Sequence, residues 1–302
     1  MLLVLHLRAA RGRARDAATA EAVSLLRDLD ARAAPGGPLS EQRGVAWVNV
    51  PAGSLRAALP RLPRLGYTEA VDLLVPEEEA GDWPVGRAER PVRWRRRPHR
   101  LVRVHQEDPA ALRELAPDRR EFLLETGDHQ VRAIRGYRGG EDPLTHRALP
   151  VPDARLLVNL VSGRPPGVLV DPFAGAGGIV IEALASGWRV ISADADPALR
   201  HGLTRLGAEH HVADARHLPL ATSSVDAAAT EPPYDPGAGE VAAEALAELR
   251  RVLRPGGRLA MLCAEWQRPG LVRAAAALGL ASELETQVDR KGLDVAALAW
   301  RA

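Results

Sequence analysis

Four short segments in the second half of the chain put carboxylates, glycines and an aromatic ring where apolar runs end. The first is Val168-Leu169-Val170-Asp171-Pro172-Phe173-Ala174-Gly175-Ala176-Gly177-Gly178, a strand pattern that closes on Asp171, turns through small residues and enters a helix near Gly178. Glycines in such a turn let the backbone approach a ligand, and the first helix amides then face it. Alone, the pattern suits a dehydrogenase, or merely a tight strand-to-helix connection. About twenty residues past the glycines a second apolar run, 190–193, is closed by Asp194, from which a carboxylate can accept hydrogen bonds from both hydroxyls of a ribose. Asp196, beside Pro197, reads as the N-cap of the next helix. In Ala213-Asp214-Ala215 a third carboxylate ends a strand, either as an acceptor for an adenine amino group or as a solvated loop acid.

The fourth segment is Glu231-Pro232-Pro233-Tyr234, directly after the strand pattern 225–230. Two prolines in succession force an extended turn and remove two amide donors, leaving carbonyls that need other partners. Glu231 adds a carboxylate to them, and Tyr234 offers a flat face for stacking. Such a mouth suits an amino group on a planar system: acceptors orient its hydrogens while the lone pair points at an electrophile. The alternative is a rigid loop carrying a surface acid and a half-buried tyrosine.

The elements that must position these residues follow from periodicity. From residue 152 onward the pattern predicts helix 152–161, strand 167–171, helix 178–186, strand 188–193, helix 197–206, strands 210–213 and 225–230, helix 239–253, strand 257–263, a helix near 269–278, and strands near 282–288 and 294–300. Strands alternating with helices imply an α/β fold with a mainly parallel sheet covered on both faces. The first third predicts strand 2–7, helix 17–34, strand 44–50, helix 52–62 and strand 70–75, a small α+β layer. Residues 77–98 lose apolar periodicity to proline, glycine and charge and read as a linker. Strand 101–104, helix 109–115 and strands 121–125 and 130–134, with Gly127 and Asp128 turning between the last two, complete this part.

Taken together, Asp-Pro-Phe-Ala-Gly-Ala-Gly-Gly at 171–178, the strand-ending Asp194, Ala213-Asp214-Ala215 and Glu231-Pro232-Pro233-Tyr234 resemble class I S-adenosylmethionine-dependent methyltransferases that methylate amino groups. More narrowly, the stretch from Leu149 to Leu160 before the glycine turn and Arg251-Val252-Leu253-Arg254-Pro255-Gly256-Gly257 after it are similar to the THUMP-associated RNA guanine-N2 methyltransferases, from about Arg147 to the C-terminus. The resemblance implies a Rossmann-like, mostly parallel seven-stranded domain over 146–302. It implies that Asp171 and the turn from Gly175 through Gly177 to Gly178 hold the methionine part of the cofactor S-adenosylmethionine, Asp194 its ribose and Asp214 its adenine, with Phe173 and Ala215 also binding the cofactor. Glu231, Pro232 and Tyr234 would hold the target nitrogen during direct in-line methyl transfer, with no metal. Residues 1–145 would form a substrate-recognition region, ferredoxin-like or THUMP-like. Glu231 departs from the family's pattern, which has Asp there, or Asn or Ser in related base methylases. The extra methylene moves the carboxylate by about one carbon–carbon bond, and ångström-scale placement matters in catalysis.

Composition narrows the classes further. The 302 residues are 46% hydrophobic and 26% charged, a globular composition that excludes collagen-like and disordered chains. Cys263 is the only cysteine, which excludes a disulfide scaffold, Cys-rich zinc sites and a Cys-ligated iron–sulfur cluster, and fits a reducing cytoplasm. The apolar opening 1–7 is too short for a secretory leader, and no apolar run reaches membrane-spanning length. Forty basic residues balance 39 acidic ones, a net charge of +1, so a polyanionic partner must be argued from location. Arg87, Arg90, Arg93, Trp94, Arg95, Arg96, Arg97, Arg100 and Arg103 concentrate charge around an aromatic, the composition of an RNA-binding surface or of a solvated loop. His201, His210, His211 and His217 cluster near the third strand without a metal-ligand pattern. Three readings therefore compete: an enzyme acting on an exocyclic base amine of RNA, guanine N2 of tRNA being the simplest; an N-methyltransferase of a small metabolite or peptide amine with the N-terminal half as a lid; and a silent binding module.

Overall fold

In the computed structural model, residues 1–82, 89–108, 121–126, 130–135, 149–163, 165–290 and 293–302 are described. The expected helix at 109–115, the Gly127-Asp128 turn and Arg87 lie outside them.

The N-terminal part is an antiparallel sheet built from β1 (Leu2–Leu7), β2 (Arg32–Ala33), β3 (Val45–Asn49), β4 (Thr68–Pro76), β5 (Glu89–Trp94) and β6 (Arg97–Gln106), with α1 (Arg15–Leu25) and α2 (Leu55–Ala58). Its order is β2-β3-β1-β4-β6-β5. The first four strands and two helices thus follow a ferredoxin-like β-α-β-β-α-β path, extended by the β5–β6 hairpin. Helix α1 is shorter than periodicity suggests: it ends at Leu25, a 3₁₀ turn Arg27–Leu29 follows, and Asp30 in a left-handed conformation (φ 57°) turns the chain into β2. Pro60 and Pro63 limit α2 to one α-helical turn between 3₁₀ turns.

The linker expected at 77–98 is instead largely structured: β5 pairs with β6 from Glu89↔Val102 to Trp94↔Arg97 at the sheet edge. Pro91 is tolerated there because an edge strand need not donate every amide. Val92 and Trp94 alternate with arginines and pack on Val4, Val45, Trp47, Leu74 and Leu101, a two-residue period that the surrounding charge conceals. At the tip, Arg95 and Arg96 both have positive φ (49° and 64°), forming a tight turn that glycine or asparagine normally occupies.

The second sheet contains β9 (Val168–Asp171), β10 (Arg189–Asp194), β11 (Glu209–Val212), β12 (Val225–Thr230), β13 (Leu253–Ala264), β14 (Ala281–Arg290) and β15 (Leu293–Arg301). A two-stranded ribbon, β7 (Glu121–Glu125) with β8 (Val131–Arg135), lies outside both sheets. The seven-stranded order is β11-β10-β9-β12-β13-β15-β14, with β15 antiparallel to both neighbours and the other pairings parallel. The flanking helices are α3 (Val151–Leu160), α4 (Gly178–Ala185), α5 (Arg200–Arg205), α6 (Ala238–Val252) and α7 (Arg268–Ala277). Because successive strands run outward in opposite directions from β9 and β12, a crevice opens where their carboxyl ends part.

Helix α3 is buried along nearly its whole length, and its polar residues Asp153, Arg155 and Asn159 are buried with its apolar ones. One hydrophobic cluster runs from Leu3 and Leu5 through Leu156 and Leu157 to Leu169 and Val190, joining both sheets across this helix. Polar contacts sew the same boundary. Arg11 grips Asp153 with Nη2 2.9 Å from each carboxylate oxygen, and the Tyr67 hydroxyl donates to Asp153 at 2.7 Å. Buried Glu21 accepts from the amides of Gly66 (2.6 Å) and Tyr67 (3.1 Å) and from Asn159 Nδ2 (2.8 Å).

Candidate active site

A cavity of about 780 Å³ occupies the crevice, and Asp171, Phe173, Gly175, Asp194, Asp214, Ala215, Glu231, Pro232 and Tyr234 all line it. Residues spread over sixty positions of sequence converge because each follows the carboxyl end of a parallel strand. Gly177 alone among the expected ligand residues does not line the cavity. It has φ 77° and packs beside the end of helix α5, where an added Cβ would lie 2.4 Å from Leu206 Cδ1; this glycine allows the turn and close packing there.

Asp171 is 1% exposed. Its Oδ1 accepts from Thr230 Oγ1 at 2.8 Å and from the Phe173 amide at 3.3 Å, whereas its Oδ2 is buried with no hydrogen-bond partner. Burial, only partly offset by those two donors, pushes its pKa up to about 7, and the charges of Asp194 and Glu231 add to the rise. An orphaned carboxylate oxygen beside a cavity is a poised acceptor for a cationic group. Thr230 was not foreseen; a hydroxyl at the end of the neighbouring strand is the signal that could have found it.

Gly175 (φ 49°) brings its amide within 2.8 Å of Asp194 Oδ2, and Asp194 Oδ1 accepts from the Asp196 amide at 3.0 Å. Asp194 therefore ties the glycine turn to its own loop while facing the cavity. Asp196 caps the turn Pro197–Leu199 through the Ala198 amide at 3.0 Å, as its place before proline predicts. Asp214 stands differently from expectation: Arg216 holds both of its oxygens, at 3.0 Å from Nε and 2.7 Å from Nη2, and this guanidinium lowers its pKa to about 2. An adenine amino group would have to share that carboxylate with Arg216. His210 meets Ser192 Oγ at 3.0 Å and His211 lies 3.3 Å from Glu209, and no group of three metal-ligating side chains occurs among the described residues.

At the opposite wall, the Tyr234 hydroxyl donates to Glu231 Oε1 at 2.5 Å. Arg290, from the end of β14, donates from Nη1 to the same oxygen and lies 3.1 Å from the tyrosine oxygen. Burial raises the Glu231 pKa above the ordinary carboxylate value, with Arg290 and Tyr234 opposing the rise, and desolvation beside Glu231 likewise raises that of Tyr234. The carbonyls freed by the paired prolines have a buried partner: Gln267 Nε2 donates to Pro233 O at 2.9 Å while its Oε1 accepts from the Ala264 amide at 2.9 Å. Neither Arg290 nor Gln267 carries a local sequence signal.

Residues 172–261 match the family described as "Methyltransferase domain". Over its whole length the chain superposes on TrmN from Thermus thermophilus, covering 100% of this chain and 99% of that one, with a TM-score of 0.52 at 19% identity. The fold is that of a class I methyltransferase. Over 89 residues the chain is 42% identical to the tRNA (guanine(10)-N2)-dimethyltransferase of Methanothermobacter thermautotrophicus, 27% of this chain and 26% of that protein. A second relative, a 37.1 kDa protein of transposon TN4556 in Streptomyces fradiae, is 30% identical over 230 residues, 71% of this chain and 56% of the other. The chain thus spans about a quarter and just over half of the lengths of these two relatives.

The cavity fits S-adenosylmethionine by its donor set. The orphaned Asp171 Oδ2 can accept from an ammonium, Asp194 has capacity for hydroxyl donors, and the Gly175 turn leaves backbone beside the space.

Proposed function

We propose that this chain is an S-adenosylmethionine-dependent N-methyltransferase whose acceptor is an exocyclic base amine of RNA, guanine N2 of tRNA in the simplest form. One observation carries the reading: a single cavity joins the unpaired Asp171 Oδ2 and Asp194 on one side to Glu231-Pro232-Pro233-Tyr234 on the other. Residues 146–302 would form the catalytic unit and residues 1–145 the RNA-recognition region, with the exposed arginines of the β5–β6 hairpin as a phosphate-contacting surface. The partial identity to a tRNA guanine-N2 dimethyltransferase favours the same substrate class. No helix among the described residues is long and apolar enough to cross a membrane.

When bound, the cofactor supplies an electrophilic methyl on a sulfonium. Asp171 would pair with its ammonium, Asp194 with its ribose, and Phe173, Ala215 and Asp214 would flank the rest. Tyr234 would stack on the acceptor base, and Glu231 would accept one amine hydrogen, turning the nitrogen lone pair towards the methyl. As the methyl passed from sulfur to nitrogen, leaving the electron pair on sulfur, Glu231 or solvent beside it would take the proton released by nitrogen. Because the methyl is already activated, the protein contributes orientation and acceptors for positive charge developing on nitrogen.

Incubation with methyl-labelled cofactor and separate pools of unmodified tRNA transcripts and small-molecule amines tests this directly. Label in the transcripts is expected, and Glu231→Gln should lower turnover by about tenfold or more while leaving cofactor affinity within about twofold. Label only in the small-molecule pool overturns the RNA reading. Cofactor binding with transfer to neither pool overturns the enzymatic one.

A further inference from the structure

Arg290 lines the cavity beside Glu231, and its surroundings fix how its guanidinium is presented. Nη1 is engaged by Glu231 Oε1 and the Tyr234 hydroxyl, while Nε lies 3.4 Å from Asp153 Oδ2. Asp153 is fully buried and is itself held by Arg11 and Tyr67, so the guanidinium plane is anchored from both sides. Both donors to Glu231 converge on Oε1. Glu231 Oε2 and Arg290 Nη2 therefore have no hydrogen-bond partner among the described residues, and neither is a fully buried atom. An acceptor and a donor are left open on two paired side chains that line the same cavity.

We propose that Arg290 determines specificity, its Nη2 pairing with Glu231 Oε2 to select an amine whose carbon also carries a ring nitrogen acceptor, the H₂N–C=N edge shared by adenine, cytosine and guanine. On that edge the amine hydrogen meets the carboxylate and the ring nitrogen accepts from the guanidinium, both in one plane, which a rigid guanidinium fork satisfies and a single charge does not. An alkyl amine offers no acceptor and leaves Nη2 without a partner. It is also protonated at neutral pH, and the Arg290 charge repels it, whereas a neutral base matches the balanced Glu231–Arg290 pair. The inference deepens the proposed function and rests on it, since it assumes that the acceptor nitrogen lies at Glu231. Asp171, Asp153, Tyr234 and Arg290 are the charged and titratable groups facing that carboxylate.

The test uses the full chain as wild type, Arg290→Lys and Arg290→Ala, with methyl-labelled cofactor, an unmodified tRNA transcript pool and spermidine as the alkyl amine. S-adenosylhomocysteine titration and thermal unfolding establish that each variant is folded. Arg290→Lys keeps a charge on Glu231 and should bind S-adenosylhomocysteine within about twofold of wild type, yet lose at least about tenfold in kcat/KM on transcripts, the value of one charge-assisted hydrogen bond. Its preference for transcripts over spermidine should fall by the same factor. The methylated nucleoside, identified by mass spectrometry, should carry the methyl on an amine adjacent to a ring nitrogen. Wild-type kcat/KM in Arg290→Lys, or a methyl on a ribose oxygen or a uridine carbon, overturns the inference and leaves RNA methylation standing. Transfer to spermidine in preference to transcripts also overturns it. Failure of the cofactor-binding wild type to label either pool overturns the proposed function first, and the inference with it.

Discussion

Asp171 gives the sharpest link between the geometry and a measurable quantity. Its Oδ2 is buried and unpaired, and burial pushes the carboxyl pKa from 3.8 to about 7 in the open pocket. If the cofactor ammonium pairs with that oxygen, a proton and the cofactor compete for one site. The sign follows from linkage: below the folded-state value the proton must leave before the cofactor binds, so affinity falls as pH falls, by about tenfold per unit, and levels off above about pH 7. From pH 7.5 to 5.5 the expected loss is on the order of thirtyfold. The same shift means that ionising Asp171 destabilises the cofactor-free protein by about 4 kcal/mol as pH rises from 3.8 to about 7, an upper bound at 1.36 kcal/mol per unit. Thermal stabilisation by cofactor should therefore grow over that window. Calorimetric titration with S-adenosylmethionine across pH 5.5–8.5, in two buffers of different ionisation enthalpy, reads both the slope and the proton released. Asp171→Asn should lower affinity at pH 8 by about tenfold to a hundredfold and abolish the slope, since the loss is a charge-assisted hydrogen bond worth about 1.5–3 kcal/mol. A pH-independent affinity in the wild type, or the same slope in Asp171→Asn, would refute the pairing.

Three further outcomes follow from other parts of the molecule. Asp153→Asn leaves Arg11 and Arg290 in a buried setting without their shared anion and should cost about 3–5 kcal/mol in urea unfolding, whereas a loss below 1 kcal/mol would show that the network contributes little. Gly177→Ala combines left-handed backbone with a Cβ 2.4 Å from Leu206 Cδ1, so stability should fall by about 1–3 kcal/mol while cofactor affinity of the folded protein changes little; a large selective loss of affinity would return Gly177 to the ligand. At the hairpin tip, Arg95→Asn with Arg96→Gly suits the positive φ angles and should stabilise by about 1 kcal/mol. The same pair of changes should reduce the salt dependence of tRNA-transcript binding by roughly 1.5 in log–log slope if both arginines meet phosphate, and an unchanged slope removes the hairpin from the RNA surface.

The parallel half was legible because each of its signals is local. Val168–Asp171 is apolar on both faces and ends in an acid, Val225–Thr230 is small and apolar apart from Asp226 and its closing threonine and runs straight into Glu231, and the strand ends fall on one sheet edge once the strands run parallel. The cavity wall was therefore readable before any coordinate. Residues 77–98 were not, because Val92 and Trp94 supply only two apolar positions among arginines, and their strand character depends on Trp47 and Leu101, which the sequence places elsewhere. Gly177 shows a related limit of sequence reading: a glycine needed for φ 77° and one needed for ligand approach look alike until the neighbour above it is known to be Leu206.

Arg290 was unreadable on stronger grounds. It meets Glu231 across 59 positions, reaches Asp153 on α3, and sits at the end of a strand whose alternation gives no hint of a buried cation. Yet a glutamate at 231 is intelligible only with it. A carboxylate as buried as this one would take up a proton and lose its value as an acceptor unless an opposite charge faced it. The anion that steadies this arginine, Asp153, is in turn held by Arg11 and Tyr67 from the N-terminal half. The two halves therefore meet in the site itself: residues from the antiparallel sheet and its first turn set the placement of an arginine that touches the Glu-Pro-Pro-Tyr loop. A change such as Tyr67→Phe, far from the cofactor wall, removes one of the hydrogen bonds that fix Asp153, and on this reasoning its effect should appear in turnover before it appears in cofactor binding.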